Sequence, residues 1–90
     1  MASYTITSDL SRSDIVDRAR AFFGHGGLDL EVSVSSEWCL RFAGRGYVQV
    51  TLRQGTGGTV VELDTRLWDD QVREFMRALA REAEHLHKAG

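Results

Sequence analysis

An apolar stripe toward the C-terminal end constrains this chain most. Trp68, Val72, Phe75, Met76, Leu79, Ala83 and Leu86 follow one another at steps of four, three, one, three, four and three residues. Those steps put all seven on one side of an α-helix. Asp69 stands at the expected N-cap, and Asp70 falls in the first turn, where the helix dipole favours negative charge. His85, His87 and Lys88 lie near the other end, where it favours positive charge. A helix from Asp70 to His87 is about 27 Å long, enough to lie across a small sheet. The rest of the chain reads as that sheet.

Tyr4 and Ile6 alternate with Thr5 and Thr7, which predicts a short edge or penultimate strand over Tyr4–Ser8. Ser11 is placed to cap a helix, with Asp14 three residues on and a hydrophobic staple between Leu10 and Ile15. Ile15, Val16, Ala19, Phe22 and Phe23 form its apolar face, and Gly24 is the expected glycine just past its end. The first helix is therefore predicted over Arg12–Phe23, followed by a flexible connector, Gly24-His25-Gly26-Gly27.

Four alternating segments come next. Leu28, Leu30, Val32 and Val34 share one face of the first, and Trp38, Leu40 and Phe42 one face of the second. Val48, Val50 and Leu52 do the same in the third, and Val61 and Leu63 in the fourth. One apolar and one polar face per strand is the pattern of an antiparallel sheet covered on one side. The breaks, Ser36-Glu37, Gly44-Arg45-Gly46 and Gly55 to Gly58, are short enough to be hairpins.

The element order is thus β-α-β-β-β-β-α in one α+β domain over residues 1–90. The first strand cannot reach the second by a tight turn, because a helix intervenes. Set beside the last strand, it lets both helices cover the same apolar face. The expected architecture is a two-layer sandwich: a five-stranded antiparallel sheet of order 1-5-4-3-2 with two helices on one face.

This element order resembles one half of the TATA-box-binding-protein fold and, more loosely, a minimal helix-grip domain of the START or Bet v 1 kind. The resemblance spans the whole chain and carries no diagnostic motif. Its helix-grip side implies a space for an apolar ligand between sheet and helices. Folds of this kind host unrelated functions.

Composition narrows the function classes. The formal net charge is -2, with both signs spread along the chain and no like-charge block. A chain that binds phosphates would carry a basic surplus, so nucleic acid is disfavoured as a partner. Cys39 is the single cysteine, which excludes an intrachain disulfide and a multi-cysteine metal site. A reducing cytoplasm suits that usage. Met1 to Thr7 lacks the charged-then-apolar pattern of a signal peptide, and no apolar run reaches membrane-spanning length. Lys88 is the lone lysine among many arginines, a usage expected of a GC-rich bacterial genome.

The motifs that could carry chemistry are weak. Arg45-Gly46-Tyr47 is similar to a fragment of an RNA-recognition octamer, which needs several aromatics exposed for base stacking; here Tyr47 is the only aromatic on the polar face. Gly55-Thr56-Gly57-Gly58 joins two strands, whereas a phosphate loop opens onto a helix. His25, between glycines, would need a carboxylate to position it as a base. His85 and His87 are two apart and point to different sides of a helix. Cys39 falls on the polar face, two residues from Arg41. No catalytic residue, metal site or cofactor is expected.

The expected function is a small binding or interaction module that self-associates, as a homodimer, or takes a protein partner. Its candidate interface is the helix-free sheet face, with Arg41, Tyr47, Arg53, Val60 and Glu62. The alternative is a helix-grip carrier of a small apolar ligand, with Trp38, Phe42, Trp68 and Phe75 lining a pocket between the sheet and the C-terminal helix. A pocket of the roughly 300 Å³ that ligand sites need would hollow out much of so small a core.

Overall fold

In the computed structural model five strands and two helices follow one another along the chain: β1 (Ala2–Ser8), α1 (Arg12–Phe23), β2 (Glu31–Ser35), β3 (Cys39–Gly44), β4 (Gly46–Gly55), β5 (Gly58–Arg66) and α2 (Asp69–Ala89). The structure describes residues 2–89, with side chains described as far as Arg81. Ala83, Leu86, His85, His87 and Lys88 therefore lie outside the described side chains. No helix among the described residues is long and apolar enough to cross a membrane.

The sheet is five-stranded and antiparallel throughout, in the order β1-β5-β4-β3-β2. This is the α+β architecture that element order implied. Its register puts Ile6, Val61 and Leu52 in one cross-strand row and Tyr4, Leu63, Val50 and Leu40 in another. These rows face the helices. From α1 they meet Ile15, Ala19 and Phe23, and from α2 Val72, Phe75 and Leu79, all buried. Phe23 is the centre of this core. Its ring lies 5.6 Å from Phe42, 5.0 Å from Phe75 and 5.1 Å from Phe22, centroid to centroid. Tilted and edge-on rings at such spacing contribute beyond the area they bury.

Local chemistry explains the helix ends. The Ser11 hydroxyl accepts from the Asp14 amide at 3.2 Å, a side-chain cap for α1. At the other end Gly24 has φ -89°, not the left-handed conformation of a C′ glycine. A Cβ there would stand 2.6 Å from the Arg20 carbonyl oxygen, so close approach explains the glycine. Helix α2 begins one residue earlier than its sequence suggested. The Trp68 carbonyl accepts from Val72 N–H at 2.9 Å, so the cap position falls on Trp68, and Asp69 and Asp70 both occupy the first turn.

The second half of the sheet departs further from simple alternation. Strand β2 starts at Glu31, not Leu28, because Gly24 to Leu30 form a bonded turn rather than a flexible link. Leu28 N–H donates to Phe22 O and Leu30 N–H to Phe23 O, both at 3.0 Å. Val32 stands opposite Phe42, on the helix side, but a bulge follows and Val34 stands opposite Arg41, on the helix-free side. Both valines are exposed. Trp38 is in the turn before β3, not in the strand.

Candidate functional site

Residues of the helix-free face form cross-strand rows fixed by the register. Ser3, Asp64, Gln49, Arg41 and Val34 make one row; Thr5, Glu62, Thr51 and Cys39 make the next; Thr7, Val60 and Arg53 make a third. The face therefore does gather Arg41, Tyr47, Arg53, Val60 and Glu62. It gathers them in two self-contained groups. Arg41 donates to Gln49 Oε1 at 3.1 Å and lies 4.4 Å over the Tyr47 ring. Arg53 Nε donates to Glu62 Oε1 at 3.2 Å and stands directly opposite Val60, which is only 8% exposed. The Ser3 hydroxyl donates to Asp64. Arg41, Arg53, Glu62 and Asp64 each have a neighbour of opposite sign or a hydrogen-bond partner in their own chain, and the exposed Glu31 and Arg66 stand at the ends of the row that holds Tyr47, which suits a face that meets water. With Arg41 over it, the Tyr47 ring is not open for a base to stack on.

The four aromatics of the candidate pocket are dispersed. Phe42 and Phe75 are fully buried and both pack on Phe23. Trp38 is 42% exposed, beneath the Arg12 guanidinium at 5.0 Å. Trp68 is half-buried, and its Nε1–H donates to Arg45 O at 2.6 Å. Trp38 thus sits at the start of β3 and Trp68 at its end, about 20 Å apart along the strand. One small ligand does not span them. An open apolar groove does run between the helices, but it is lined by Arg18, Ala21, Phe22, Phe75, Ala78 and Leu79 and measures about 220 Å³.

His25 has acquired a partner that composition could not show. Its Nδ1 is 2.9 Å from Asp29 Oδ1. The turn that follows α1 creates the pair, with Asp29 held at φ +62°. Both side chains are far out in water, at 83% and 77% exposure. His25 borders an open groove with Arg20, Leu30 and Val32, but nothing there shields a reacting atom from water. Cys39 is partly exposed, opposite Thr51. Among the described residues no three His, Cys, Asp or Glu side chains gather as a metal ion requires.

The two sheet edges are the remaining candidates, and they differ. At the β2 edge the strand has five residues, a bulge and a charged Glu31. The Arg20 and Arg12 side chains reach over to it, donating to Ser35 Oγ at 2.8 Å and Glu37 O at 2.9 Å. At the other edge β1 is seven residues long, pairs with β5 without a break from Ala2 to Ser8, and carries no charge. Beside it, Ile6 and the α2 residues Met76 and Ala80 line an apolar groove of about 330 Å³, rimmed by Arg73 and Arg77. The expected sheet order 1-5-4-3-2 puts β1 at this edge, and the structure has it there. The signal of its openness was the absence of charge and proline from Ala2 to Ser8.

The chain matches no protein-family model, no curated protein and no solved structure.

Proposed function

We propose that this chain is a small, non-catalytic interaction module that joins its sheet to a strand of another polypeptide at the β1 edge. One observation carries the reading: β1 is a regular, uncharged, unbulged edge strand, seven residues long. Alternate residues of such a strand direct backbone N–H and C=O groups away from the sheet, a template for another strand. The apolar groove beside Ile6 gives side chains of that strand a place to pack. The contacts that Arg41, Arg53, Glu62 and Asp64 make within their own chain support the edge over the face as the point of contact.

A second reading rests on the groove between α1 and α2. A carrier of a small apolar ligand would hold it against Phe22, Phe75 and Leu79 rather than between the sheet and helices. At about 220 Å³ the groove is smaller than ligand sites of roughly 300 Å³ and above.

Native mass spectrometry of the protein purified from its own source distinguishes these readings. The interaction module predicts added polypeptide mass that is lost when Thr5→Lys places a charge on the edge. A bound compound of a few hundred daltons would instead favour the carrier. Bare monomers at every concentration would overturn the interaction reading.

A further inference from the structure

We infer that the strand received at the β1 edge is β1 of a second copy, paired antiparallel about a two-fold axis that passes between the two Thr5 residues. This rests on the reading of β1 as a pairing edge and names its occupant. The argument is one of self-complementarity.

A two-fold axis normal to the sheet keeps helix-side residues on the helix side. Pairing must therefore join residues of like parity. The helix side of β1 carries Ala2, Tyr4, Ile6 and Ser8, and the other side Ser3, Thr5 and Thr7, as the partners on β5 show. Centred on Thr5, all seven residues pair: Ala2 with the partner's Ser8, Ser3 with the partner's Thr7, Tyr4 with the partner's Ile6, and Thr5 with the partner's Thr5. Moving the centre to Tyr4 or Ile6 leaves two residues at one end of each strand without a partner among the described residues of β1. The best register is also the one with the best side-chain pairs. An aromatic meets a β-branched residue twice on the helix side, and hydroxyls meet hydroxyls on the other, both favourable cross-strand combinations.

The helices agree with this placement. Tyr4 donates to Asp69 at the start of α2, and Ile6 meets Met76 and Ala80 further along, so α2 runs beside β1. Extending the sheet through β1 would bring the two α2 helices side by side, about 10 Å apart, an ordinary helix-packing distance. Their facing flanks are Arg73, Met76, Arg77 and Ala80. The two arginines bring no unbalanced charge, because Arg73 pairs with Asp70 and Arg77 with Glu74, one turn earlier in each case. The Asp70 hydrogen bond also raises the Arg73 pKa. Two sheets of five strands would become one of ten, and the apolar groove beside Ile6 would be covered by the partner.

The β2 edge cannot pair with itself in this way. Its bulge puts Glu31 and Ser35 on opposite faces although they are an even number of residues apart, because Glu31 stands opposite Ala43 and Ser35 opposite Leu40. A symmetric pairing centred on Ser33 would set a helix-side residue against one from the other face.

Disulfide trapping tests the register. Cys39→Ser removes the native thiol, and a single cysteine is then placed at Thr5 or at Thr7. Under mild oxidation Thr5→Cys should yield a covalent dimer. Thr7→Cys should not, because two copies of residue 7 lie about 13 Å apart in this register, beyond the roughly 7 Å between Cα atoms that a disulfide tolerates. Equal trapping at both positions, or trapping at neither, would overturn the register and with it the inference. If Thr5→Lys releases a different polypeptide, the interaction reading stands and the second copy is wrong. If a wild-type dimer survives Thr5→Lys unchanged, the edge itself is wrong.

Discussion

The two edges of this sheet hang from the same core and are built in opposite ways. Strand β2 is short and bulged, and Arg12 and Arg20 from α1 reach over to its end and the following turn. These are the devices by which natural sheets keep their edges single. Strand β1 has none of them, and α2 leaves an apolar groove along it instead of a covering side chain. Exposed apolar surface alone would favour the other edge. Val32, Val34 and Trp38 are exposed on the β2 side, and no large residue of β1 reaches comparable exposure. The difference lies in backbone regularity and charge. An edge can carry apolar residues and still refuse a partner if its register is broken.

The largest expected effect removes what both edges depend on. Phe75→Ala, or Phe23→Ala, deletes a fully buried ring from the central cluster and should cost about 3–5 kcal/mol in chemical denaturation. A small loss would mean that the rings border a space able to collapse or fill, which favours the carrier reading. Deleting Ser33 should come next. It removes the extra residue of the bulge, restores alternation along β2 and creates a second regular edge, so light scattering should show species larger than a dimer. If the deletion variant has the same mass as the wild type, regularity is not what separates the edges.

Smaller effects sharpen the contrast. Trp38→Ala should cost roughly 1 kcal/mol or less and leave assembly unchanged, since its ring is 42% exposed and held mainly by the Arg12 cation. A loss of assembly in that variant would move the contact to the β2 side. His25→Ala should be silent for both stability, within about 0.5 kcal/mol, and mass, because the Asp29 pair is surface-exposed.

Element order was legible because it rests on features that tertiary context rarely overrides. The helix between the first two strands forced β1 to the far side, and the glycine-rich breaks forced a meander; both hold in the structure. The α1 boundaries, Arg12 to Phe23, were set by Ser11 and Gly24 and were also legible, although Gly24 does its work by close approach to Arg20 O. What alternation could not show was a break in alternation. Nothing in Glu31-Val32-Ser33-Val34-Ser35 announces a bulge, and so Val34 seemed to belong beside Leu30. Trp38 was assigned inward for a related reason: the turn that contains it ends one residue later than the polar pair Ser36-Glu37 suggests. Composition likewise could not show which charges of the helix-free face are paired. That depended on Arg41 finding Gln49 and Tyr47, and Arg53 finding Glu62, across strands.

The central claim is that Thr5 of one chain faces Thr5 of another across the β1 edge. The most direct test is the mass in solution of Thr5→Lys and Thr5→Glu, alone and mixed in equal amounts. Like charges face each other when either variant pairs with itself, and opposite charges face each other only in the mixture. The account predicts 10.1 kDa for each variant alone and about twice that for the mixture, the mass also predicted for the wild type. Variants that each remain dimeric alone, or a mixture that stays at 10.1 kDa beside a dimeric wild type, would contradict it.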